Sequence, residues 1–144
     1  MKNLFLLRHA KSSWDNAALG DFDRPLSKRG ISNAIQLSEY IQKHSISFDL
    51  VLSSPSERTQ STLDLVLSSL DPIPKTSLKE SIYHASASSL SQLIKELDDE
   101  INNLLIIGHN PGLHILTETL TNESIVKFPT CALAKITNFN HWKD

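Results

Sequence analysis

Arg8, His9, Arg58 and His109 are the residues of this sequence best suited to chemistry on an anion. Arginine presents a planar fork of N–H donors that matches phosphate oxygens. A neutral imidazole is nucleophilic near pH 7 and can carry a phosphoryl group, and nearby guanidinium charge disfavours its protonated form. In phosphoryl transfer a protein mainly positions the reactants and stabilises charge on the equatorial oxygens. Two arginines and two histidines, with no carboxylate cluster among them, therefore point to phosphate as ligand. No cysteine accompanies them, and no Gly-rich loop or acidic pair suggests a nucleotide with Mg²⁺. A metal site on His9 and His109 is the sharper competing reading. Arg8 and the lack of a local Asp, Glu and Cys set argue against it, so no metal or cofactor is expected. Each histidine alone also suits a hydrogen-bonded structural role, the default for His44, His84, His114 and His141; His84 lies nearest a candidate site loop.

These residues need elements to bring them together. Three short apolar runs, 4–7, 50–52 and 104–107, suit strands buried on both faces of a parallel sheet. Between them, helical spacing appears in Ile31, Ala34, Ile35, Ser38 and Ile41, then in Leu63, Val66, Leu67 and Leu70. It recurs in Leu90, Leu93, Ile94 and Leu97, and in Leu113, Leu116, Thr117 and Leu120. Strand–helix alternation predicts an α/β fold, a three-layer α/β/α sandwich with a mainly parallel central sheet and right-handed crossovers. Residues 131–136 alternate and include Lys135, as expected of an antiparallel edge strand. Ser54-Pro55-Ser56-Glu57 reads as a capping box with proline at the first helical position. Asp71-Pro72-Ile73-Pro74 reads as a rigid connector. Arg8-His9 follows the first strand, Ser53-Ser54 the second and Gly108-His109-Asn110 the third. The carboxyl ends of strands line the ligand crevice of an open α/β sheet, so three segments deliver their polar groups to one edge.

Composition constrains the rest. At 144 residues, the chain is read as one domain, 1–144. Net charge is −2, which favours neither nucleic acid nor an anionic membrane as partner. The four apolar residues near the start are too few for a signal-peptide core, no run approaches a membrane span, and a cytoplasmic location is expected. Cys131, the single cysteine, is read as a structural hydrophobe.

Four blocks carry a family resemblance. Leu7-Arg8-His9-Ala10-Lys11-Ser12 resembles the Arg-His-Gly signature of the histidine phosphatases, the phosphoglycerate mutase-like superfamily, with alanine in place of glycine. The segment Asp23-Arg24-Pro25-Leu26-Ser27-Lys28-Arg29-Gly30 resembles the stretch after that signature in the SixA-type phosphohistidine phosphatase branch. Residues 53–62, from Ser53 to Thr62, resemble the second arginine block, and Gly108-His109-Asn110-Pro111-Gly112 the second histidine block. The blocks come in family order and cover nearly the whole chain.

The resemblance implies a metal-independent phosphatase with His9 as the phosphorylated nucleophile. Arg8, Arg58 and His109 would clamp the transferring group. Arg24 and Ser12 would sit at the phosphate rim, with Asp15 as a further rim residue. Glu80 falls where many members carry the acid that protonates the leaving group. Mutases and large phosphatases insert long segments before that acid, and this chain does not, so a shallow, open site is expected. Such a site suits phosphohistidine displayed on a protein, and mutases need closure against water. A small phosphorylated metabolite is the alternative substrate, and a phosphate-binding module without turnover the alternative class.

Overall fold

A computed structural model describes the backbone of residues 1–144 and every side chain except that of Asn138. The elements are β1 (Lys2–Arg8), α1 (Lys28–Lys43), β2 (Leu50–Ser53), α2 (Glu57–Leu67), β3 (Lys75–Leu78), α3 (Ala87–Lys95), β4 (Asn103–Gly108), α4 (Gly112–Thr121) and β5 (Leu133–Phe139). Short 3₁₀ turns occupy Asp21–Asp23 and Glu80–Ile82. The five strands form one sheet in the order β3-β2-β4-β1-β5; β5 runs antiparallel to β1, and the other pairs are parallel.

The three apolar runs do become strands, and their alternation divides the core in two. Leu4, Leu6, Leu104 and Ile106 pack with α3 and α4 through Leu90, Ile94, Leu113 and Leu116. Phe5, Leu7, Leu105 and Ile107 pack on the other face with Ala34 and Ile41 of α1 and Leu63 and Val66 of α2. Both faces are covered, which is why these strands read as continuous apolar runs.

Topology places the crevice. From β1 to β2 to β3 the chain steps one way across the sheet, and from β3 to β4 it steps back. Right-handed crossovers moving in opposite directions put their helices on opposite faces. Helix α1 leaves the end of β1 to one face and α4 leaves the end of its neighbour β4 to the other, which opens a cleft between them.

Three local points differ from the sequence reading. Ser54 does not cap α2: its N–H still donates to Ile107 O at 3.0 Å, on the edge of the ladder, and Ser56 is the cap, accepting from the Thr59 N–H. The ladder runs further than the sequence suggests, so Glu57 opens the helix and Arg58 lies in its first turn. In α1 the inward face is Gly30, Ala34, Ser38 and Ile41, and Ile31 and Ile35 are exposed. Small residues turn inward there because the helix sits very close to its neighbours: a Cβ at Gly30 would fall 2.1 Å from Lys11 O, and Ser38 Oγ lies 2.9 Å from Ser69 Oγ. The third concerns β3, which the apolar pattern does not reveal. Lys75-Thr76-Ser77-Leu78 is an exposed edge strand held by main-chain bonding to β2, so no apolar alternation was needed.

Candidate active site

Residues Arg8 and Gly108 are register partners at the ends of β1 and β4, so His9 and His109 emerge side by side, with ring centroids 5.2 Å apart. Arg58, in the first turn of α2, is 3% exposed and reaches both rings. Together with Arg8, Lys11, Ser12, Trp14, Arg24, His84, Asn110 and Thr130 they line a cavity of about 300 Å³. The convergence of Arg8, His9, Arg58 and His109 at one edge, expected from the strand ends, is thus what the fold produces.

Hydrogen bonds assign the tautomers. His9 Nδ1 lies 2.7 Å from Ala10 O, and a carbonyl only accepts, so Nδ1 carries the proton. Nε2 is left with its lone pair and faces the Arg58 Nε–H at 3.4 Å. Likewise Arg58 Nη2 donates to His109 Nδ1 at 3.3 Å, so His109 Nε2–H donates to Ser54 Oγ at 2.8 Å. Burial is the main reason that both rings resist protonation. His9 is pulled down to about 4, its bond to Ala10 O opposing the pull and the charges of Arg58, Arg8 and Arg24 adding to it. His109 is pulled down to about 3, with His9, Arg58 and His84 adding to burial and Asp21 opposing it. At neutral pH His9 is therefore an uncharged imidazole whose Nε2 lone pair lies among cations.

The remaining expected residues fall into place unequally. Arg8 Nη1 donates to Phe128 O at 3.2 Å, and its buried Nε has no acceptor among the described residues, a donor suited to an anion in the cavity. Arg24 and Ser12 reach the cavity wall. There Arg24 donates to Ser12 Oγ, Ser13 O and Asp21 Oδ1, and its guanidinium carbon sits 3.1 Å over the Trp14 ring. Asp15 is exposed and outside the wall. So is Glu80: its 3₁₀ turn buries Ile82 and carries Tyr83 and His84 to the cavity side, leaving Glu80 facing out. Cys131 is half-buried, its thiol pushed up to about 11 by burial, and its N–H donates to Arg8 O and His9 O at 3.0 and 3.1 Å. It anchors the end of β1 as a structural residue.

A carboxylate does adjoin the site, contrary to the sequence reading. Asp21 Oδ2 accepts from Arg58 Nη2 at 3.0 Å, Tyr83 OH at 2.6 Å and His84 Nε2 at 3.1 Å. Burial alone would raise its carboxyl, but the bonds from Tyr83 and Arg58, the Arg58 charge and the His84 bond hold it well below the usual range. Asp21 is 37 residues from Arg58 and 63 from His84 in sequence, so no local pattern could have shown it. No three His, Cys, Asp or Glu side chains are grouped to hold a metal among the described residues, and none of the described helices is long and apolar enough to cross a membrane.

Burial of neutral histidines has a measurable consequence. Unfolded, both rings titrate near 6.5; folded, near 4 and 3. Below pH 6.5 the unfolded chain binds protons that the native state refuses, so stability must fall with pH in that window, by up to about 1.4 kcal/mol per pH unit for each ring. Urea midpoints should drop progressively between pH 6.5 and 4; a flat profile would mean that the rings protonate in place.

A neutral imidazole, two arginine forks and a second histidine meet at the switch point of an α/β/α sandwich, a set of groups suited to a phosphate ligand. Residues 4–97 match the histidine phosphatase superfamily (branch 1). An uncharacterized chloroplastic protein of Arabidopsis thaliana is 32% identical over 99% of this chain and 70% of its own length. Among solved structures, a protein described as the phosphohistidine phosphatase SixA of Agrobacterium tumefaciens superposes with a TM-score of 0.87 at 26% identity, covering 93% of this chain and 90% of that one. The protein histidine phosphatase SixA complexed with tungstate gives 0.83 at 25% identity, over 94% and 87%. The chain belongs to the histidine phosphatase superfamily, and its activity is that of a phosphatase.

Proposed function

We propose that the protein removes the phosphoryl group from phosphohistidine on another protein, by way of a phosphohistidine on its own His9. The observation that carries the reading is the state of His9: Nδ1–H tied to Ala10 O and Nε2 unprotonated, facing Arg58 in a cavity also lined by Arg8 and Arg24. Nε2 attacks phosphorus as the bond to the leaving nitrogen breaks, and the electron pair goes to the leaving imidazole. Water then attacks the phosphohistidine, the P–N pair returns to Nε2, and inorganic phosphate departs. Arg8 and Arg58 neutralise charge on the equatorial oxygens in both steps. In the resting state His109 directs its lone pair at Arg58 and so orients that guanidinium.

The macromolecular substrate is supported by the mouth of the cavity. Trp14 stands there 76% exposed over Arg24, and an accessible rim suits a phosphoryl group presented on a protein surface. The similarity to SixA proteins points the same way. A panel of phosphohistidine protein, phosphoserine and phosphotyrosine peptides and sugar phosphates tests it. The phosphohistidine protein should give kcat/KM at least about tenfold above the others. A sugar phosphate in first place would make this a metabolite phosphatase, and turnover of none would leave a phosphate-binding module.

A further inference from the structure

The reaction on an ester substrate needs a proton for the leaving oxygen, and the cavity wall offers few groups to supply one. His9 is the nucleophile and His109 is held neutral by burial. The arginines do not release protons at working pH, and the Lys11 ammonium on the wall has no hydrogen-bond partner among the described residues to aim it. No carboxylate lines the cavity among the described residues, and Glu80 faces away from it. His84 stands apart: it lines the same cavity as His9, with its ring centroid 5.3 Å from that of His109, and its side chain is 55% exposed.

Its setting is built rather than incidental. His84 adopts φ 56°, a left-handed conformation that non-glycine residues seldom hold without surrounding support. The Tyr83 ring packs against it at a tilt of 40°, centroids 4.1 Å apart, and its Nε2–H donates to Asp21 Oδ2 at 3.1 Å. The close passage of the chain here requires Gly112, where a Cβ would lie 2.2 Å from Ala85 O. A carboxylate that accepts from Nε2–H fixes the ring, and in the doubly protonated form the second N–H, on Nδ1, is free to donate, an orienting arrangement familiar from acid–base pairs.

We infer that His84, oriented by Asp21, is the proton donor to the leaving group. This rests on the phosphatase reading above and adds a catalytic residue to it. As His9 Nε2 bonds to phosphorus, the P–O bond breaks, its electron pair stays on the leaving oxygen, and His84 Nδ1 delivers the proton that makes it an alcohol. His84 regains a proton from solvent through its exposed edge before the next turnover.

The test compares kcat/KM, which reports steps through the first phosphoryl transfer, for an alkyl phosphate and for p-nitrophenyl phosphate. An alkoxide needs the proton and p-nitrophenolate hardly does. His84→Gln should lose about 10²–10³ on the alkyl phosphate and no more than about threefold on p-nitrophenyl phosphate. The charged and titratable groups facing His84 are Asp21 of the loop after β1, the adjoining Tyr83, Arg58 of α2 and His109 after β4, and none of these is removed. Equal losses on the two substrates, or none on either, overturn the assignment. So does a selective loss in Glu80→Gln with His84→Gln unaffected, which gives the proton to Glu80. Wild-type turnover of p-nitrophenyl phosphate through a trapped phosphoenzyme is the separate control: without it, the phosphatase reading itself fails.

Discussion

His9→Ala is expected to abolish turnover, by a factor on the order of 10⁴–10⁶, and to leave no trapped phosphoenzyme. The other candidate acceptors of the cavity are engaged elsewhere, His84 by the bond of its Nε2 to Asp21. His109 has its Nδ1 lone pair turned on Arg58 and its Nε2–H on Ser54. Ser12 Oγ accepts from Arg24, and Cys131 lies outside the cavity wall with its thiol raised by burial. The side chain is buried, so His9→Asn, which keeps a polar donor for Ala10 O, serves beside the alanine variant. Both should melt cooperatively and stay unphosphorylated after incubation with a phosphoryl donor, as read by intact-mass spectrometry. Substantial turnover in both would require direct attack by water.

Arg58→Ala is expected to cost about 10²–10³ in kcat/KM, the value of one transition-state donor, and more to the extent that its orienting role is lost. Each of its nitrogens has a separate task. Nε faces His9 Nε2 at 3.4 Å, Nη1 donates to Asp21 O at 2.6 Å, and Nη2 bonds Asp21 Oδ2 at 3.0 Å and His109 Nδ1 at 3.3 Å. A lysine offers one ammonium on a flexible stem and cannot point in three directions from one plane. Arg58→Lys should therefore recover less than about tenfold of the loss. Steady-state kinetics with a thermal melt beside each variant checks this; full rescue by lysine would reduce Arg58 to a generic positive charge.

Much of the site was legible because its chemistry sits where buried strands end. Arg8-His9 and Gly108-His109 each follow a continuous apolar run, and such runs are recognisable wherever both faces of a strand are covered. Ser53-Ser54 and Arg58 follow another such run in the same way, although the true helix cap, Ser56, is two residues later because Ser54 still bonds across to Ile107. The edge strand β5 was legible from its alternation. Strand β3 was not, since an exposed edge is held by main-chain bonds that leave no trace in side-chain pattern. The inward face of α1 was shifted for a related reason: close approach selected Gly30, Ala34 and Ser38 over the larger Ile31 and Ile35.

The sequence by itself determined the α/β alternation, the carboxyl edge as the meeting place of Arg8, His9, Arg58 and His109, and the donor and acceptor types that they bring to it. Each follows from periodicity or residue type, which are local properties. The tertiary structure alone decided what surrounds them. It brought Asp21 from the loop after β1 against Arg58, Tyr83 and His84, and it turned Glu80 outward while burying Ile82 from the same turn. It also set the protonation of His9 and His109, because desolvation depends on how completely the fold covers a ring. Contacts across 37 or 63 residues, and burial itself, arise only when the chain closes on itself, so no spacing along it could express them.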